Sequence, residues 1–222
     1  MPPNRRAFLA ATTASVLTTT ASTPAVAAPR SRPATARAAL DELLAGNRRY
    51  AAGQPRHPHE ERARRHVLAA GQHPFAVVVG CVDSRVPPEL VFDQGIGDLL
   101  CIRTAGQVLD EAVLASVQYG VEELGVPLVL VLGHERCGAV AATLEHLRTG
   151  APPVSGHLAL LVDEITPAAL RTRAVPGDWA DHTVRAHAAW VRDAIRADPA
   201  FTTAHVAAAR FDLDSSLVTL LP

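Results

Sequence analysis

Three short apolar runs rich in β-branched residues, at 75–80, 99–103 and 127–132, most narrow the folds open to this chain. A strand with one wet face alternates polar and apolar residues, whereas a continuous apolar run must be covered on both faces, as in a parallel sheet. Between the second and third runs, Val113, Val117, Val121 and Leu124 fall at helical spacing over residues 110–124. Strands that alternate with helices imply crossover connections and a parallel sheet.

The remaining segments extend that pattern. Residues 34–52 read as a helix carrying Leu40, Leu43, Leu44 and Arg48, stopped near Gly53 and Pro55. A polar helix is expected over 60–70, another helix over 138–147, and two more over 158–170 and 178–197, on either side of Pro176-Gly177. Residues 206–213 and 217–221, separated by Asp214-Ser215-Ser216, read as a β-hairpin. The expected fold is therefore α/β, a central mostly parallel sheet flanked by helices, with a C-terminal β-hairpin added to the sheet.

At 222 residues the chain suits one core, and 48% hydrophobic with only 4% aromatic makes that core aliphatic. A net charge of −1 and the lack of a long basic run argue against nucleic acid as a partner. All 21 basic residues are arginine, which excludes Schiff-base and phosphate-loop chemistry that needs a lysine amine. Residues 1–27 resemble a twin-arginine export signal, with Arg5-Arg6, a weakly apolar stretch and cleavage expected after Ala27. Residues 28–38 then read as a linker and 39–222 as the catalytic domain. The expectation is a protein exported to a periplasm, cell wall or medium. No later stretch approaches the roughly 20 apolar residues of a membrane helix, so no membrane association is expected of the mature form. Three cysteines, Cys81, Cys101 and Cys137, cannot all be paired in disulfides. If two are metal thiolates, Cys101 is expected to be a buried strand thiol.

In an open parallel sheet, ligands bind beyond the carboxyl ends of the strands. The first run leads into Cys81-Val82-Asp83-Ser84-Arg85 and the third into Gly133-His134-Glu135-Arg136-Cys137-Gly138. A catalytic zinc takes three protein ligands and keeps a fourth position open, and Cys81, His134 and Cys137 make such a set. Taken singly, a cysteine at a strand end is more often a small core residue. Asp83 and Arg85 are spaced to form a bidentate charge-assisted pair, although an ordinary surface salt bridge is the plainer reading.

These segments resemble a known family. Cys81 to Glu89, Gly97 to Gly106 and Gly133 to Ala139 are similar, in order and spacing, to the signature blocks of the β-class carbonic anhydrases. The resemblance runs from about Leu40 through the terminal hairpin. It implies Zn²⁺ held by Cys81, His134 and Cys137, a catalytic pair in Asp83 and Arg85, and an intimately paired homodimer or an assembly of dimers. It also implies reversible hydration of carbon dioxide to bicarbonate and a proton, with Asp83 orienting the attacking water and Arg85 keeping Asp83 ionised. Asp83 as a zinc ligand in a resting state is a further implied possibility. Gln72, Tyr119 and Gly138 match pocket positions of the family, Gln72 acting across the dimer interface. Leu100 and Ala105 stand where phenylalanine and valine are frequent, Thr104 and Gln107 where asparagine is usual. Val78 occupies the place of a tryptophan that one subgroup uses at an inhibitory bicarbonate site.

Two thiolates cancel the charge of the ion, so activity is expected to favour mildly alkaline pH. The histidines, His57, His59 and His66 among them, read as solvated surface groups, and none is assigned as a proton shuttle. Two alternatives remain: a hydrolase of carbon disulfide or carbonyl sulfide on the same scaffold, and a non-catalytic zinc- or bicarbonate-binding protein.

Overall fold

The computed structural model describes residues 32–150 and 154–222; the export segment expected over 1–27 lies outside the described residues. Among the described residues the sheet has five strands in the order β2-β1-β3-β4-β5. These are β1 (Ala76–Cys81), β2 (Leu99–Thr104), β3 (Leu128–His134), β4 (His205–Phe211) and β5 (Val218–Leu220). The first four are parallel and β5 pairs antiparallel with β4, so the expected mostly parallel sheet with a terminal hairpin is what forms.

Every residue of β1 and β3 is buried, the consequence of helices on both faces. On one face Ala76, Val78, Leu128, Leu130 and Ala207 pack under Ala39 and Leu43 of α1 (Ala36–Ala51) and Val91 of the short α3 (Pro88–Val91). On the other face Val77, Val79, Val129 and Val131 meet Val113 and Val117 of α4 (Glu111–Gln118). Ala188, Val191 and Ile195 of α7 (Trp179–Ala197) complete that side. A third cluster, beyond the carboxyl ends of the strands, joins Cys81 and Cys137 to α5 (Gly138–Thr149), α6 (Leu158–Thr172) and Val184 of α7.

Local chemistry sets the helix starts. Thr35 caps α1 by accepting from the Ala38 amide, Asp110 caps α4 through Val113, and Asp178 caps α7 through Ala180 and Asp181. Because of its cap, α1 begins within the stretch assigned to a linker. The helix expected over 110–124 is regular only to Gln118. From Tyr119 to Glu123 it widens, and Leu124 donates to the carbonyl of Tyr119 five residues back. Within this turn Gly120 lies close on the sheet: a Cβ there would lie 2.7 Å from Val77 and 2.9 Å from Leu100.

Two expectations are corrected. Cys101 is only half-buried, because β2 is the outermost strand on its side of the sheet. His59 is not simply solvated: it adopts φ 60° and its Nδ1 lies 2.7 Å from a carboxylate oxygen of buried Asp98. The polar segment around His59 hides this, since the partner is 39 residues away. The helix α2 (Arg62–Leu68) buries none of its residues. Among the described residues no helix is long and apolar enough to cross a membrane.

Candidate metal centre

β1 has β2 on one side and β3 on the other, so the chain direction across the sheet reverses between β1 and β3 and opens a crevice at their carboxyl ends. Gly80 pairs with Leu132, which brings the tips of these strands together, with Cys81 ending one and His134 the other. After His134 the chain turns through Arg136, at φ 51°, and delivers Cys137 to the N-cap of α5. The two Sγ atoms and one ring nitrogen of Cys81, Cys137 and His134 all lie within 4.8 Å of one another, and all three residues are buried.

The His134 tautomer follows from its partner. Nδ1 lies 2.9 Å from the Glu135 carbonyl, which can only accept, so Nδ1 carries the proton. Nε2 is then a bare lone pair, buried and without a hydrogen-bond partner among the described residues. An orphaned buried acceptor is costly, and of the two sulfurs and the carboxylate around it only a thiol S–H, a weak donor, could meet it. A soft divalent cation removes the cost, and a sulfur, sulfur, imidazole set fits zinc. The two cysteines share one proton-bearing contact. A hydrogen bond from Cys137 holds the Cys81 thiol far below its ordinary range, with help from His134 and the Gly106 amide, while Cys137 is pushed up. One thiolate is thus sheltered even before a metal enters. Burial opposes protonation of His134, but the Cys81 sulfur outweighs it and raises the imidazole.

Asp83 and Arg85 stand beside this group. Arg85 donates from Nε to Asp83 Oδ1 at 2.9 Å and from Nη2 to Oδ2 at 2.7 Å, and its backbone amide adds a bond to Oδ1 at 2.9 Å. The Arg85 guanidinium thereby holds the Asp83 carboxyl down to about 2. Oδ2 lies 3.8 Å from His134 Nε2, which aims the carboxylate at the mouth of the ligand group. Arg103, on β2, donates to the carbonyls of Cys81 and Asp83 at 2.8 and 2.7 Å and fixes the loop between them.

The structure therefore brings together Cys81, His134, Cys137, Asp83 and Arg85. Gly138 follows as the first residue of α5, and Ala105 opens the single turn after β2. Leu100 and Tyr119 meet elsewhere, in a cavity of about 450 Å³ lined also by Cys101, Ile102, Ala115 and Ser116, none of them from the ligand group. Gln72 is exposed on the connection between α2 and β1. Three further residues support the site and were not singled out from the sequence: Arg103, Gly106, whose amide lies 3.3 Å from Cys81 Sγ, and His187, which holds the Gly106 carbonyl at 3.0 Å. Only the buried stripe Val184, His187, Ala188, Val191 and Ile195 of α7 carries a trace of the last in the sequence.

Residues 76–211 match the model of the family described as Carbonic anhydrase. Carbonic anhydrase 2 of Mycobacterium tuberculosis is 48% identical over 145 residues, covering 65% of this chain and 68% of that relative. A carbonic anhydrase of Mycolicibacterium smegmatis is 50% identical over 145 residues, with the same two shares, 65% and 68%. Among solved structures, a tetrameric β-carbonic anhydrase of Sordaria macrospora superposes with a TM-score of 0.63 at 20% identity, covering 82% of this chain and 96% of its own.

Proposed function

Because this chain belongs to the β-class carbonic anhydrase family and is an enzyme of that class, we propose that it catalyses the reversible hydration of carbon dioxide to bicarbonate and a proton, with zinc held by Cys81, His134 and Cys137. The observation that carries the reading is the bare Nε2 of His134, buried between two thiols and faced by a carboxylate that an arginine keeps charged. Zinc bound there supplies a Lewis acid that lowers the pKa of a water from 15.7 toward about 7.

The chain's own residues do the rest. Asp83, ionised and so an acceptor only, takes a hydrogen bond from the attacking water and turns its lone pair toward the carbon of the substrate. Arg85 engages both Asp83 oxygens, which keeps the carboxylate charged and in one orientation. Its Nη2 also reaches the Arg136 carbonyl at 3.2 Å, tying the loop after β1 to the loop after β3. Glu135 fixes the His134 ring through its carbonyl, and its own carboxylate is held by the Leu213 amide at 3.1 Å. The charges of the two thiolates oppose acidification of the water, so activity should rise into mildly alkaline pH.

Stopped-flow hydration of carbon dioxide by zinc-loaded protein, with carbonyl sulfide run in parallel, tests the reading. About one zinc per chain and rapid hydration are expected; a metal-loaded protein that hydrolyses carbonyl sulfide and leaves carbon dioxide untouched would overturn it. Export is part of the same proposal, supported by Arg5-Arg6 and the small-residue pattern ending at Ala27. N-terminal sequencing of the mature protein should begin at Ala28.

A further inference from the structure

Gly106 touches the metal centre through its backbone alone. Its amide donates to Cys81 Sγ at 3.3 Å, and it sits at φ 67° in a tight turn whose next residue, Gln107, is also left-handed at φ 48°. Only a glycine fits, since a Cβ there would lie 2.9 Å from Ile165 Cδ1 and 3.1 Å from Ala139 Cβ. Glycine, however, adopts positive and negative φ almost equally well, so its own torsions do not aim its amide at the sulfur. Something else must hold the turn.

That part falls to His187. The residue is fully buried on α7, 81 residues along the chain, and its Nε2 lies 3.0 Å from the Gly106 carbonyl. A carbonyl only accepts, so Nε2 carries the proton and Nδ1 is bare, without a partner among the described residues. The ring stacks on Trp190 with centroids 5.9 Å apart and planes 15° apart, which fixes its direction. A neutral imidazole buried at the cost of an unpartnered nitrogen is hard to explain by packing, because an apolar side chain would fill the space without that cost.

We propose that His187 is a positioning residue for the metal centre: by clamping the Gly106 carbonyl it fixes the direction in which the Gly106 amide donates to the Cys81 sulfur. The inference rests on the zinc reading above. The Gly106 amide holds a ligand sulfur in place, and outer-shell hydrogen bonds that orient a ligand strengthen metal binding. The same bond lowers the energy of the sulfur electrons and thereby tunes the metal.

The test uses the full chain loaded with zinc or with cobalt(II), whose sulfur-to-metal charge-transfer band reports the electron energy of the thiolates. His187→Leu removes the donor, His187→Gln keeps an N–H at similar reach, and Val191→Ala removes comparable packing from the same buried face of α7. His187→Leu should weaken zinc in chelator competition by roughly 10- to 100-fold, the usual effect of losing an outer-shell partner. It should also move the charge-transfer band to lower energy. His187→Gln should recover most of both, and Val191→Ala should lower the thermal midpoint with neither change. Wild-type affinity and band position in His187→Leu, or the same losses in Val191→Ala, would overturn the proposal. Should His187→Leu not fold, His187→Asn, whose amide is too short to reach the carbonyl, takes its place, and equal behaviour of the Asn and Gln variants would overturn it. A wild-type chain without any thiolate band would overturn the ligand assignment itself, and the positioning role with it, before any variant is compared.

Discussion

Asp83 gives both carboxylate oxygens to Arg85 and still lies 3.8 Å from His134 Nε2, so it can act on a water at the metal position without being needed to hold the metal. Asp83→Asn separates those roles. It keeps the size, removes the charge and puts an N–H where only acceptors belong. Zinc content should stay near wild type while carbon dioxide hydration falls on the order of 10²-fold, within the range of positioned proton-transfer groups. Metal analysis beside stopped-flow kinetics checks this, and loss of zinc would make Asp83 chiefly a ligand. His187 allows a prediction on pH. Burial pushes it down to about 4, below the value near 6.5 of an exposed imidazole. The folded state thus holds the neutral form, and its contribution to stability is complete above about pH 6.5 and lost as pH falls toward about 4. The full effect is up to about 3 kcal/mol. Urea unfolding at pH 7.5 and 4.5 should show wild type losing more stability than His187→Gln by about that amount; parallel losses would show that His187 does not titrate in this way.

Among the elements, α1 rests on the turn after α3 at one point. A Cβ on Gly46 would come within 1.7 Å of the Phe92 carbonyl oxygen, a backbone atom with no freedom to yield. Gly46→Ala should therefore destabilise the fold by about 3 kcal/mol, the upper part of the range for overpacking, despite alanine's better helix propensity. A thermal melt equal to wild type would show that α1 can lift off. Elements whose periodicity decides their fate were legible in the sequence: β1 and β3 because both faces are covered, α7 because its cap and stripe agree. The widened turn at Tyr119–Glu123 was not, since Val117, Val121 and Leu124 keep helical spacing through it, and the close approach of Gly120 to Val77 and Leu100 involves residues outside the segment. Four-residue α3 is too short to show a period. The same division runs through the site. Side-chain ligands at strand tips stand out, but the contact of Gly106 with Cys81 is made by an amide that every residue type carries, and His187 gains its meaning only from a partner 81 residues away.

For the whole molecule the open question is the sheet edge. β1 and β3 are buried throughout, yet all six residues of β2 are only half-covered, and among the described residues β2 bonds to a neighbour on one side alone. An edge strand presents unpaired N–H and C=O groups and is ordinarily blunted by charge, proline or a covering element. Here Leu100 and Ile102 line an open cavity with Tyr119, which is 47% exposed, while Ile96 is 45% and Leu90 51% exposed. Leaving these side chains in water would be unfavourable, and among the described helices α4 covers Leu100 and Ile102 only in part. We therefore expect a second copy of the chain to cover them, as a homodimer or a pair of dimers. Light scattering should find no stable monomer at working concentration. Ile102→Asp, a charge placed on that face away from the ligand group, should shift the population to monomer and lower activity, while each chain keeps its helical and sheet content by circular dichroism. A wild-type chain that is monomeric and fully active at dilute concentration would mean that β2 tolerates its exposure, and that the site is complete within one protomer.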